Sequence, residues 1–133
     1  MADNLSRPTR SKVMSSIRSR NTEPELIVRR LLWARGKRYR IHDRSVTGSP
    51  DLSNKRRQVA VFIDGCFWHG CALCYKEPRT NVAYWRHKII QNQRRRQEVL
   101  RQLRGHKWTV FQFWEHDVRK RASAIAISIG NRL

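Results

Sequence analysis

The stretch Asp64-Gly65-Cys66-Phe67-Trp68-His69-Gly70-Cys71-Ala72-Leu73-Cys74 constrains this chain more than any other. It holds every cysteine of the protein, with an acid, a histidine, two aromatics and two glycines, directly after the apolar run Val59–Ile63. An odd number of cysteines within nine positions is a poor disulfide framework. The polar, basic first thirty residues do not read as a secretion signal, so the expected compartment is the reducing cytoplasm. Metal ligation is the better reading. Cys71-x-x-Cys74 is the spacing that folds two thiolates round one zinc ion, Cys66 adds a third, and a histidine must complete the tetrahedron. His69 would make a local knuckle, whereas His116, beyond the last strand-like run, would clamp the loop to a strand end. The bland alternative is three small buried hydrophobes.

A chain of 133 residues is long enough for one modest core, so a single domain over residues 1–133 is expected. Lys and Arg number 29 against 10 Asp and Glu, a net charge of +19 spread along the whole length. A polyanion is the natural partner, with nucleic acid ahead of a membrane surface and a merely solvated basic surface as the plain alternative. No segment approaches membrane-spanning length, and the absence of heptads or an exposed apolar stripe makes a monomer the default.

Residues 1–10 read as a flexible basic arm, followed by a short helix with Val13, Met14 and Ile17 on one face. Thr22, Pro24 and Glu25 then form a helix start, with Thr22 as N-cap and Glu25 as its capping-box partner. Leu26, Ile27, Leu31 and Leu32 supply the buried stripe, and Gly36 the stop. Arg38–His42 alternates like a strand with one wet face. Asp51-Leu52 and Val59–Ile63 flank a basic tip, Asn54–Arg57, and so predict a hairpin that brings Asp51 and Ile63 to the same end. A long helix from about Val82 to about Leu103 follows, with Trp85, Ile89, Val99, Leu100 and Leu103 on one side and Arg94, Arg95, Arg96 and Arg101 on a basic one. Trp108–Trp114 reads as a buried strand and Val118–Ile129 as a last helix carrying Ile125 and Ile129. This order predicts an α/β (α+β) fold, a mixed sheet flanked by helices.

Phosphodiester hydrolysis by a metal nuclease needs a cation at the phosphate and a group that activates water. Asp51 is a hard-oxygen ligand for Mg²⁺ in waiting, and His69 is a base within reach of the same hairpin end. Each has a plain competitor: Pro-Asp is commonly a turn, a lone histidine is commonly structural, and Asp64 has a plain reading as the end of its strand.

Thr9-Arg10-Ser11-Lys12, Arg20-Asn21-Thr22-Glu23-Pro24-Glu25, Gly48-Ser49-Pro50-Asp51, Val61–Cys71, Tyr84-Trp85 and Trp114-Glu115-His116 together resemble the very short patch repair (Vsr) DNA mismatch endonucleases. The resemblance runs from about residue 8 to about 120. It implies a restriction-endonuclease-like fold that nicks one DNA strand on the 5′ side of the thymine in a T·G mismatch. Such mismatches arise by deamination of 5-methylcytosine, so the implied context is a DNA cytosine methyltransferase. Carried over residue by residue, Asp51 binds Mg²⁺, one of two such ions, and His69 is the general base. Glu25 assists, and the Ile63 carbonyl faces a metal. Phe67, Trp68 and Trp85 match aromatics that wedge into the base stack, with Arg10, Lys12 and Lys88 as further DNA contacts. Cys66, Cys71, Cys74 and His116 match the structural zinc ligands.

The chain also departs from the best-known pattern of that family, which has His at the position of Asp64, His at Cys71 and Cys at His116. Three sulfurs and one imidazole are retained in exchanged places. At Asp64 a carboxylate replaces an imidazole beside the metal, where it is able to ligate directly or through water. The competing readings are a zinc-stabilised DNA-binding protein without catalysis and a related nuclease that cuts undamaged DNA. Phe67, Trp68 and Trp85 would then be core, Glu25 a capping acid, and Arg94–Arg96 a solvated face rather than the phosphate contact that is the default here.

Overall fold

The computed structural model of the protein describes residues 20–133; the basic arm, the short helix expected after Thr9, and Arg10 and Lys12 lie outside the described residues. The elements are α1 (Glu23–Ala34), β1 (Arg40–Ile41), β2 (Leu52–Asn54), β3 (Val59–Asp64), α2 (Val82–Gly105), β4 (Thr109–Trp114) and α3 (Glu115–Gly130). The four strands form one sheet in the order β1-β2-β3-β4. The first three run antiparallel, and β4 lies parallel to β3 after a crossover through the cysteine loop and α2. The result is a mixed sheet flanked by helices, as the element order predicts.

β3 sets the layering. All six of its residues are buried, because helices cover both faces of the sheet around it. With side chains alternating along the strand, Val59, Val61 and Ile63 pack with Val28 and Leu32 of α1 and with Val118, Ile125 and Ile129 of α3. Ala60 and Phe62 face the other way, against Leu100 and Leu103 of α2. Asp64 continues that second set, so its carboxylate points at α2 rather than into the larger apolar layer. Burying side chains of this size contributes roughly 1.5–3 kcal/mol each.

The hairpin forms as expected, with Leu52 opposite Val61 and Asn54 opposite Val59. Its tip closes through Asn54 Oδ1, which accepts the Arg57 N–H at 3.0 Å. Asp51 itself sits one residue before β2 rather than inside it. α1 starts at Thr22 as N-cap, but the threonine side chain makes no capping bond. Glu25 accepts the N–H of Asn21 at 3.0 Å, one residue before the N-cap, so the reciprocal box is displaced. The stop is as predicted: Gly36 takes φ +75°, and the N–H groups of Gly36 and Lys37 donate to the carbonyls of Trp33 and Leu32 at 3.0 Å each.

Four expectations are corrected. The buried face of α1 is Pro24, Glu25, Val28 and Leu32, with Leu26, Ile27 and Leu31 only half-buried, because the helix turns its first-turn acid toward the hairpin end. The strand expected over Arg38–His42 shortens to Arg40–Ile41, both exposed, and His42 leaves it with φ +45°. β4 is half-buried rather than buried, since it lies at the sheet edge. α3 begins at Glu115 without a connecting loop, which puts Glu115 and His116 in its first turn. Among the described residues no helix is long and apolar enough to cross a membrane.

Candidate active site and metal centre

Two groups of ligating side chains stand at the same end of the sheet. The first is built on the hairpin. The Ile63 N–H donates to Asp51 Oδ2 at 2.6 Å, which orients the carboxylate across the hairpin mouth. Glu25 reaches the same place from the first turn of α1 and His42 from the end of β1, so that one atom from each of Glu25, His42 and Asp51 lies within 4.8 Å of the others. His42 Nε2 is 3.2 Å from Glu25 Oε2 and 3.7 Å from Asp51 Oδ1, and Arg29 Nη2 is 2.8 Å from Glu25 Oε2. Burial and the nearby Glu25 charge push the Asp51 carboxyl up to about 7, against the opposing pull of the Ile63 N–H and Arg96. Burial raises Glu25 as well, and lowers His42. Two buried acids that resist ionisation, one with its Oε1 unpartnered, fit a divalent cation as the missing counter-charge.

Next to this group stands His69. Its Nε2 is 3.6 Å from Asp64 Oδ1, while its Nδ1 is buried without a hydrogen-bond partner. Burial pushes this imidazole down, so the neutral base is favoured. Asp64 is 1 % exposed and fully engaged. Arg96 grips it with Nη2 at 2.9 Å and Nε at 3.0 Å, and Gln112 donates to it at 2.7 Å. Asp64 is not part of the Glu25–His42–Asp51 group, though its charge contributes to raising Asp51. The loop is pinned to α2 by Asn92, which donates to the Trp68 carbonyl at 2.8 Å, and Gln93, which donates to that of His69 at 3.0 Å. A Cβ on Gly70 would sit 2.6 Å from Ile89 and 2.7 Å from Gln93, so this close approach requires glycine.

Asp51 and His69 line one open cleft of about 430 Å³, together with His42, Trp68, Lys88, Arg95 and Arg96. Asp51, Ile63, Asp64 and His69 also meet in a smaller recess behind it. The convergence expected from the hairpin geometry is therefore present.

The second group is Cys66, Cys71, Cys74 and His116, all within 4.8 Å. His116 Nδ1 lies 3.4, 3.6 and 3.4 Å from the three sulfurs. A tetrahedral ion with bonds of about 2.3 Å to sulfur and about 2.1 Å to nitrogen separates S from N by about 3.6 Å, so the four atoms fit one such ion. His116 Nε2 is 3.5 Å from Asp117 Oδ1, an outer carboxylate that fixes the ring. Glu115 accepts the Cys66 N–H at 3.0 Å. The first turn of α3 thus ties down the loop that carries His69.

A family description, DNA mismatch endonuclease Vsr, matches residues 2–76, more than half of the chain. The chain is 40 % identical over 130 residues to the type II nicking enzyme V.HpaIIP of Haemophilus parainfluenzae, covering 96 % of this chain and 92 % of that one. It is 41 % identical over 126 residues to V.NmeDIP of Neisseria meningitidis serogroup C, covering 93 % and 85 %. The DNA mismatch endonuclease Vsr of Escherichia coli K12 is 34 % identical over 135 residues, covering 100 % of this chain and 86 % of that protein. The chain belongs to the DNA mismatch endonuclease Vsr family. It is an endodeoxyribonuclease, and its substrate is DNA.

In this Vsr-family chain the aromatics form their own cluster, outside both core layers. Phe67 lies 5.3 Å from Trp68 and 5.4 Å from Trp85 between ring centroids, all three half-buried, with exposed Tyr84 stacked edge-on against Trp85. Lys88 follows one turn later on the cleft wall. Sequence reasoning missed His42, Arg29 and Gln112, and did not foresee the pairing of Arg96 with Asp64. Arg96 is not a solvated charge: its side chain is 16 % exposed. The signal was available, since Arg96 falls seven residues after Ile89 and four before Leu100, on the apolar face of α2. His42 carried no comparable signal.

Proposed function

We propose that this protein is a Mg²⁺-dependent mismatch endonuclease. It nicks one strand on the 5′ side of the thymine in T·G pairs left by deamination of 5-methylcytosine, alongside a DNA cytosine methyltransferase. The reading takes residues 1–133 as one restriction-endonuclease-like domain that acts as a monomer in the bacterial cytoplasm, at the nucleoid. The single observation that supports it most is the shared cleft of Asp51 and His69, walled by Lys88, Arg95 and Arg96. The names of the relatives add support, nicking for the first two and mismatch for the last.

Mg²⁺, when bound, supplies charge to the scissile phosphate and a polarised water. Asp51, with Glu25 and the Ile63 carbonyl, would hold it. His69 is the base that accepts the proton of the attacking water, while Asp64 stands against its Nε2 and stays clamped by Arg96 and Gln112. Asp64 in this scheme orients His69, and any contact with a metal runs through water. Phe67, Trp68 and Trp85 enter the base stack beside the mismatch, and the surrounding cations, Arg10 and Lys12 among them, contact phosphates. Zn²⁺ on Cys66, Cys71, Cys74 and His116 is structural, holding the His69 loop against α3.

The test is incubation with T·G, T·A and other mismatched duplexes in Mg²⁺. A single nick 5′ of the mispaired thymine, stopped by EDTA, is expected. Equal cutting of matched DNA would support a nuclease for undamaged sites, and binding without any nick would leave only a DNA-binding protein.

A further inference from the structure

We infer that His42 is a further protein ligand of the cation held by Asp51, Glu25 and the Ile63 carbonyl, making this a mixed nitrogen and oxygen centre that prefers Mn²⁺ to Mg²⁺. The inference rests on reading the Asp51 cleft as the metal centre of the nuclease. Neighbouring ligands of one octahedral ion with bonds of about 2.1 Å lie about 3 Å apart. His42 Nε2 stands 3.2 Å from Glu25 Oε2 and 3.7 Å from Asp51 Oδ1, close to that separation before any ion draws them in.

One oxygen of this acid pair is left without a partner. Glu25 is 1 % exposed, its Oε2 takes Arg29 and the Asn21 N–H, and its Oε1 has no hydrogen-bond partner. An orphaned carboxylate oxygen at this depth is costly unless something positive meets it. Arg96, the other half-buried cation nearby, is committed to Asp64. His42 adopts φ +45°. That turn ends β1 after two residues and brings the His42 ring to the wall of the Asp51 cleft.

Ion preference follows from donor chemistry. Mg²⁺ keeps to oxygen and retains its waters, whereas first-row transition ions bind imidazole readily. A site with two carboxylates and one imidazole therefore holds Mn²⁺ more tightly, even where Mg²⁺ also supports the reaction.

The experiment uses the full-length, zinc-replete protein titrated with Mn²⁺ and observed by electron paramagnetic resonance. Pulsed spectra should show nitrogen coupling to bound Mn²⁺ in the wild type and in His69→Ala, and none in His42→Gln. Mn²⁺ affinity in His42→Gln should fall by at least the about 10–100-fold that outer-sphere changes cost, with Mg²⁺ competition changed far less. Labelling the histidines of the unmutated protein with ¹⁵N should alter the coupling pattern, which answers the question even if the variant folds poorly. Absence of nitrogen coupling, or coupling and Mn²⁺ affinity unchanged in His42→Gln, overturns the assignment. Nicking is scored separately. Nitrogen-bound Mn²⁺ without nicking defeats the nuclease mechanism and keeps His42 as a ligand, whereas nicking without nitrogen coupling does the reverse.

Discussion

The backbone N–H of Ile63 donates to Asp51 Oδ2 at 2.6 Å, linking the residue before β2 to the penultimate residue of β3. The bond leaves the second carboxylate oxygen to face the cleft. Asp51→Asn keeps an oxygen for that N–H and removes one negative charge. Nicking should fall steeply, to a rate still measurable in single turnover, while DNA affinity stays within about threefold of wild type, since phosphate contacts by cations dominate binding. Gel-shift and nicking assays on the same duplex check this; a parallel loss of binding would count against a metal-holding role.

Acid should weaken metal binding at this site. Asp51 is raised from 3.8 to about 7 in the metal-free fold by burial and the Glu25 charge. A raised carboxyl favours the protonated form, so its contribution to metal-free stability is full below about pH 4 and lost as pH rises through 7. Mg²⁺ needs the ionised form. Its affinity should drop about tenfold per pH unit below 7, and calorimetry in buffers of different ionisation enthalpy should detect proton release there. Affinity that is flat between pH 6 and 8 would contradict this.

Arg96→Met should destabilise the fold by about 3–5 kcal/mol, the usual cost of stripping a buried carboxylate of its charge partner. Asp64 is 1 % exposed and would keep only Gln112 and His69. Urea denaturation measures the loss. Adding Asp64→Asn to Arg96→Met should restore part of it, because the uncompensated charge is then gone.

Cys74→Ala removes one of the three sulfurs grouped round His116. Zinc affinity should fall by more than the about 10–100-fold that outer-sphere changes cost, and the melting temperature with it. Because the same loop carries His69, the nicking rate should fall as well. A zinc-replete, equally stable variant would show that the ligand set is wrong.

What the sequence disclosed was local and periodic. The apolar run Val59–Ile63 and the polar tip gave the hairpin, and hence the meeting of Asp51 with Ile63. The capping residues and Gly36 bounded α1, and the cysteine spacing gave the ligand cluster. What stayed hidden depended on long-range packing. His42 reaches the site through a left-handed backbone turn that no pattern announces. Gln112 reaches Asp64 because β4 is an edge strand lying beside β3. Arg96 was disguised by two neighbouring arginines that do face solvent.

The central claim is that Asp51 and His69 serve one scissile phosphate. His69→Ala alone should slow single-turnover nicking about 10²–10⁴-fold. The decisive measurement is the single-turnover rate of the Asp51→Asn/His69→Ala double variant on a T·G duplex. Groups that act as a unit are strongly non-additive, so the double variant should nick within about threefold of the slower single one. Rate losses that multiply, or a His69→Ala rate equal to wild type, would contradict the account.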